Sequence, residues 1–179
     1  MDFAERAVRS RGLDGFSYAD MAEAIGIRKA SIHHHFPTKA NLSEALIERY
    51  QANLQYRLAE IEEAHATAGA RLKALVALYR AALDDGHTVC LCVAFSTCRE
   101  SLSEVVVTRV SAVRAMILQW IIGTFELGQR DGTVSAILDP AYEAPATLAM
   151  LEGAHLAARN EVDLAAFDAA TRLLKARCQ

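Results

Sequence analysis

With 179 residues, 53% of them apolar and 23% charged, the chain is long enough to bury a core and too apolar to remain disordered. A net charge of −3 excludes a protein that coats nucleic acid over its whole surface; placement says more, with six Lys/Arg against five Asp/Glu in residues 1–40 and 13 against 17 beyond. Only Pro37, Pro140 and Pro145 break the chain, and Ala, Leu, Glu and Arg fill the stretches between them, which predicts an all-α fold.

A first helix is expected over Asp2–Arg11, ended by Gly12 and the Asp14-Gly15 turn pair. Ser17 is a natural N-cap for a second helix, with Asp20 three residues on in a capping-box arrangement. Gly26 stands where that helix must stop and the chain turn sharply, a place that needs positive φ. A third, short helix follows over Arg28–Phe36, closed by Pro37, and Thr38 caps a long fourth helix reaching His65. Two helices joined by a tight glycine turn, after one packing helix, have the layout of a helix-turn-helix. Further helices are expected over Ala68–Asp85, Val89–Glu100, Ser103–Arg130, Tyr142–Arg159 and Asp163–Ala176.

On a helical wheel Ile32 and Phe36 fall together, with Ile27 before them, so that face should pack on the first two helices. Ala30, Ser31, His33 and His34 then point away from the core. Short side chains and imidazoles suit a helix that must approach the major groove closely. Arg28 and Lys29 stand in the first turn, where a cation opposes the helix dipole. Helix stability does not ask for them there; a DNA-facing helix start does.

The whole stretch Gly15–Lys39 closely resembles the signature of the tetracycline-repressor (TetR) family. It has an apolar-Ala pair (Met21-Ala22), Gly26-Ile27, a Ser-Ile pair (Ser31-Ile32), and Phe36 ahead of Thr38-Lys39. His33 stands where the family usually has Tyr, and Arg28 where Ser is common. The resemblance covers roughly residues 1–45. It implies a three-helix DNA-binding domain over 1–45, followed by a helical effector-binding and dimerisation domain over 46–179. Lys29, Ala30, Ser31 and His33 are then the candidates for base edges, with Arg28 beside them. Ser17, Tyr18, His34 and Lys39 would hold phosphates.

The same resemblance implies double-stranded operator DNA as partner and a small-molecule inducer held by the middle helices. Tyr79, Phe95, Met116, Trp120 and His155 are candidate lining residues, chosen for apolar bulk with a polar tip. It also implies a homodimer through the last two helices, where Leu148, Leu151, Leu156, Phe167, Leu173 and Leu174 give wide apolar faces. The expected output is a repressor released from a palindromic operator by its inducer.

Other readings rest on the cysteines and histidines. Cys90, Cys92 and Cys98 fit either small apolar fillers or a redox- or electrophile-sensing site in a repressor of the same fold. A helical metal-binding protein is the alternative from another class. His33-His34-His35 does not favour it, because neighbouring helical side chains point about 100° apart and cannot converge on one ion. No nucleophile elbow, Walker loop or dinucleotide fingerprint is present, so neither an enzyme nor a cofactor is expected. The acidic, amphipathic opening Met1–Arg6 is unlike a signal peptide, and Arg109 and Arg114 interrupt the most apolar stretch, Val105–Phe125. With free cysteines these features predict a cytoplasmic protein without a membrane span.

Overall fold

The computed structural model describes residues 1–179. Nine α-helices follow one another: α1 (Asp2–Arg11), α2 (Tyr18–Ile25), α3 (Lys29–His35), α4 (Lys39–Ala64), α5 (Ala68–Ala81), α6 (Leu91–Ser96), α7 (Glu104–Asp131), α8 (Pro140–Glu161) and α9 (Leu164–Arg177). Single 3₁₀ turns lie at Leu13–Gly15 and Arg99–Ser101. There is no strand, and the one β-type pairing is the bridge between Val134 and Cys178. The expected all-α class, with its N-terminal helix-turn-helix and helical remainder, is what the chain adopts.

The chain forms two compact units. One joins Met1–Asn53 to Leu91–Val113; the other joins Leu54–Cys90 to Arg114–Gln179. In the first, α1 packs on α2 and on α6, and α2 packs on α3. Ala4, Ala7 and Val8 of α1, Met21 of α2, Ile32 of α3, and Leu42, Leu46 and Ile47 of α4 are all buried. Arg49 on α4 reaches back to both Asp2 and Glu5, at 2.6 Å each, and clamps α4 to α1. Ser101 and Ser103 hydrogen-bond to Asp14 and Glu44, so the stretch after α6 is tied to the N-terminal helices as well.

In the second unit α8 and α9 form an antiparallel pair turned at Val162, with α5 lying against both. Asp139 and Asp163 cap the two helices through their carboxylates, and Pro140 occupies the first turn of α8, where its missing N–H is not needed. The C-terminal residues are stitched in by main-chain bonds. The Gln179 N–H donates to the Thr133 carbonyl, and the Ser135 N–H to the Arg177 carbonyl.

Three expectations are corrected. The α5 helix ends at Ala81, four residues early, because Asp84, Asp85 and Gly86 all take positive φ. The α6 helix is only six residues, since its last turn is broken by Thr97 and Cys98 bonding back to the Ala94 and Phe95 carbonyls. Ile27 is 46% exposed instead of packing with Ile32. It precedes α3, so the wheel that places Ile32 does not govern it. By length and composition α7 is apolar enough to cross a membrane, despite Arg109 and Arg114, with a mean hydropathy of 1.6 over its most apolar stretch.

Candidate nucleic-acid interface

Local chemistry sets each end of the helix-turn-helix. The Ser17 hydroxyl accepts the N–H groups of Ala19 and Asp20, while the Asp20 carboxylate accepts the Ser17 N–H at 2.7 Å. The capping box expected from Ser17 and Asp20 is therefore complete. The backbone and hydroxyl of Ser17 hold the Asp20 carboxyl below the usual carboxylate range. At the other end Gly26 has φ 72 and ψ 29, and its N–H bonds the Glu23 carbonyl while the Ile27 N–H bonds that of Ala22. This paired closure needs a left-handed residue, and glycine supplies it without a Cβ clash.

That turn launches α3 with one side chain inward. Ile32 is 2% exposed, whereas Lys29, Ala30, Ser31, His33, His34 and His35 are all exposed. Arg28 is the exposed N-cap residue, one position ahead of the helix. The ring of His33 stands edge-on to Tyr18, centroids 4.8 Å apart, and His34 meets His35 the same way at 5.4 Å. No three His, Cys, Asp or Glu side chains converge as a metal site would require.

The four phosphate candidates are placed differently from one another. His34 is on the exposed side of α3. Ser17 is exposed, with its oxygen engaged in the cap. Lys39, in the first turn of α4, donates to the Leu13 carbonyl at 2.8 Å and sits 5.0 Å over the Phe16 ring. Tyr18 is buried, and its hydroxyl donates to the Thr38 carbonyl at 2.7 Å. Burial raises its pKa above the ordinary phenol value. In this arrangement Tyr18 serves as a strut between α2 and α4. The carbonyls of Leu13 and Thr38, which position Lys39 and Tyr18, left no trace in the sequence, because every residue carries one.

The effector candidates divide. Tyr79 and His155 meet in the second unit, centroids 5.4 Å apart. His155 is fully buried: its Nε2–H donates to the Tyr79 carbonyl at 2.9 Å, and the Cys90 N–H donates to Nδ1 at 2.9 Å. Both nitrogens are therefore engaged inside the core, and Phe167 covers a further side of the ring. Met116 and Trp120 are half-buried on α7, and the Trp120 indole N–H is buried without an acceptor. Phe95 is fully buried in the other unit, apart from these four. An open groove of about 450 Å³ between the end of α4 and α5 is lined by Arg57, Ile61, His65 and Leu78, and by none of the five candidates.

Of the thiols, Cys90 and Cys92 are buried. Cys98 is half-buried, and desolvation pushes its pKa up although the Leu13 backbone works against the shift. That geometry does not supply the accessible thiolate that electrophile sensing needs.

Comparison with known proteins agrees with this layout. Residues 1–46 match the family described as bacterial regulatory proteins, tetR family. The chain is 25% identical over 143 residues to the HTH-type transcriptional repressor KstR2 of Rhodococcus jostii (strain RHA1), spanning 78% of this chain and 68% of that protein. A TetR-family transcriptional regulator from Agrobacterium tumefaciens is 31% identical with a TM-score of 0.92, over 99% of this chain and 94% of that one. A TetR transcriptional regulator from Legionella pneumophila, 23% identical, shares the fold at a TM-score of 0.86 over 99% and 94% of the two chains. The chain belongs to the TetR family of bacterial transcriptional regulators, proteins that act by binding DNA and not by catalysis.

Proposed function

We propose that this regulator is a homodimeric repressor that holds a palindromic operator through α3 and lets go when a small organic effector binds the Leu54–Cys90/Arg114–Gln179 unit. The observation that carries the reading is α3 itself. One side chain, Ile32, anchors it, and an unbroken face from Lys29 to His35 is left to solvent. A helix so presented enters a major groove, with Lys29, Ala30, Ser31 and His33 toward base edges and Arg28, His34 and Lys39 toward phosphates. Residues 1–45 are the DNA-binding head in this reading, and the relative named as a repressor supports the direction of the output.

Dimerisation is supported by the outward side of α8 and α9. Leu148, Leu151, Phe167 and Leu174 are buried within the chain, but Tyr142 is 77% exposed, Leu156 48% and Leu173 78%. Gly153 has nothing within 4 Å of where a Cβ would stand, so a second helix could approach closely there. Two copies would present two α3 helices about one DNA turn apart. The unsatisfied Trp120 N–H favours an effector that brings an oxygen acceptor. A differential affinity of about 1–3 kcal/mol between the two states already changes operator binding roughly 5–150-fold.

The test is selection of bound duplexes from a random pool by the purified protein, followed by sedimentation of protein and complex. Inverted repeats bound by a dimer are the expected result. Enrichment of no duplex would sink the reading, and enrichment of single half-sites by a monomer would remove its dimeric part.

A further inference from the structure

We propose that Arg11 is a phosphate-binding residue, paired with Lys39 across the Leu13–Phe16 turn to form a two-pronged cationic grip on the DNA backbone. The proposal rests on the DNA-binding reading above and adds a residue that the helix-turn-helix pattern does not single out. Arg11 is the last residue of α1 and is exposed. Arg9 is tied to Glu5 and Arg49 to Asp2 and Glu5, whereas Arg11 makes neither an ion pair nor a hydrogen bond.

The root of its side chain is nonetheless fixed. A Cβ built on Gly15 would stand 2.6 Å from the Arg11 Cβ, so the arginine leaves α1 directly against this turn, and only glycine at 15 makes room for it. The same turn seats Lys39, through the Leu13 carbonyl at 2.8 Å and the Phe16 ring at 5.0 Å. Lys39 has three N–H donors and uses one of them on Leu13, so two remain for an anion. The acidic groups nearby are engaged: Asp20 accepts the Ser17 N–H, and Asp14 faces the Ser101 hydroxyl at 3.4 Å. The Ser17 backbone and hydroxyl hold the Asp20 carboxyl low, and the charges of Arg11 and Lys39 add to that more weakly. An arginine fork beside a lysine suits one phosphate group, bidentate from the first and point-charged from the second. Such a contact fixes register and adds affinity without reading sequence.

The experiment compares full-length wild type with Arg11→Gln, Lys39→Gln and the double variant, and with Arg57→Gln as a control for the same loss of charge. Fluorescence anisotropy across a KCl series measures binding to a random-sequence duplex and to the duplex that pool selection returns. Each single variant at 11 or 39 should lower the slope of log K against log salt by about one per subunit, hence about two for the dimer, and the double variant by about four. Both duplexes should weaken by a similar factor, with melting little changed in Arg11→Gln and lower in Lys39→Gln, which loses its bond to the Leu13 carbonyl. A normal slope in Arg11→Gln beside a reduced one in Lys39→Gln overturns the proposal and leaves the DNA-binding reading intact. Loss confined to the selected duplex also overturns it, because Arg11 would then read bases. No duplex binding by the wild type would overturn the underlying reading instead.

Discussion

The Tyr18 hydroxyl donates to the main-chain carbonyl of Thr38 at 2.7 Å, joining the first residue of α2 to the residue that caps α4. All of α3 lies between these two in sequence, so this bond and the buried Ile32 side chain are fixed points from which that helix projects. A phenol inside the head and imidazoles outside it, with His33 against the Tyr18 ring, divide aromatic side chains between core and surface.

Removing the hydroxyl tests that division. Tyr18→Phe takes one of two donors from the Thr38 carbonyl, which keeps the Leu42 N–H, and should cost roughly 0.5–1.5 kcal/mol of stability. The urea midpoint should fall with an unchanged m-value, while duplex affinity well below the melting temperature stays within a few-fold of wild type. Lost affinity at unchanged stability would instead make Tyr18 a phosphate ligand.

His155 offers a paired comparison. Leucine at this position takes the imidazole acceptor from the Cys90 N–H and one of two donors from the Tyr79 carbonyl, which keeps the Ala82 N–H, and should destabilise by about 1–3 kcal/mol. Glutamine can accept from one and donate to the other, so His155→Gln should recover much of that loss. Equal destabilisation of the two variants in denaturant titrations would mean that ring packing against Tyr79 and Phe167, and not hydrogen bonding, is what His155 provides.

Gly69, in the first turn of α5, lies where the C-terminal segment folds back. A Cβ there would meet the Thr133 carbonyl oxygen at 2.7 Å and the Gln179 oxygen at 2.8 Å, both backbone atoms with little freedom to retreat. Gly69→Ala should therefore lower stability by about 1–3 kcal/mol, visible as a lower Tm. Amide exchange should show the bridge at Val134 and Cys178 opening first.

Acid should weaken the second unit. Hydrogen bonding to Arg177 holds the Glu143 carboxyl below its usual range, and hydrogen bonding to Arg80 does the same for Asp168. Each carboxyl has a lower pKa folded than unfolded, so the stability it contributes is present above the unfolded value near ~4 and is lost as pH falls through the folded one. The melting temperature should stay level from neutrality to about pH 5 and drop below that. Glu143→Gln should be less stable than wild type at pH 7, with the gap closing in acid; a constant gap would contradict the linkage.

Thiol chemistry gives the last expectation. With Cys90, Cys92 and Cys178 buried, only Cys98 should react with a disulfide-exchange reagent in the native protein, and slowly, because burial keeps its thiol protonated. Fast reaction of Cys90 or Cys92 at neutral pH would revive the electrophile-sensing reading.

The helices and their ends were legible because their causes are local. Ser17 with Asp20, Gly26, Thr38 and Asp139-Pro140 each act within one turn of their own position, and the structure places helix boundaries where those residues put them. The outward face of α3 was legible for the same reason: a single buried residue, Ile32, orients a seven-residue helix. What the sequence could not state were relations between distant residues. It did not place Tyr18 inward on Thr38, Lys39 on the Leu13 carbonyl, or His155 between Tyr79 and Cys90, and it did not pack α6 on α1. Three of these four use main-chain carbonyls, which every residue offers alike, and the fourth depends on which surfaces remain uncovered once the helices have packed. Periodicity and capping thus determined the elements and the exposed side chains of α3, and tertiary packing decided which polar groups are struts and which face solvent.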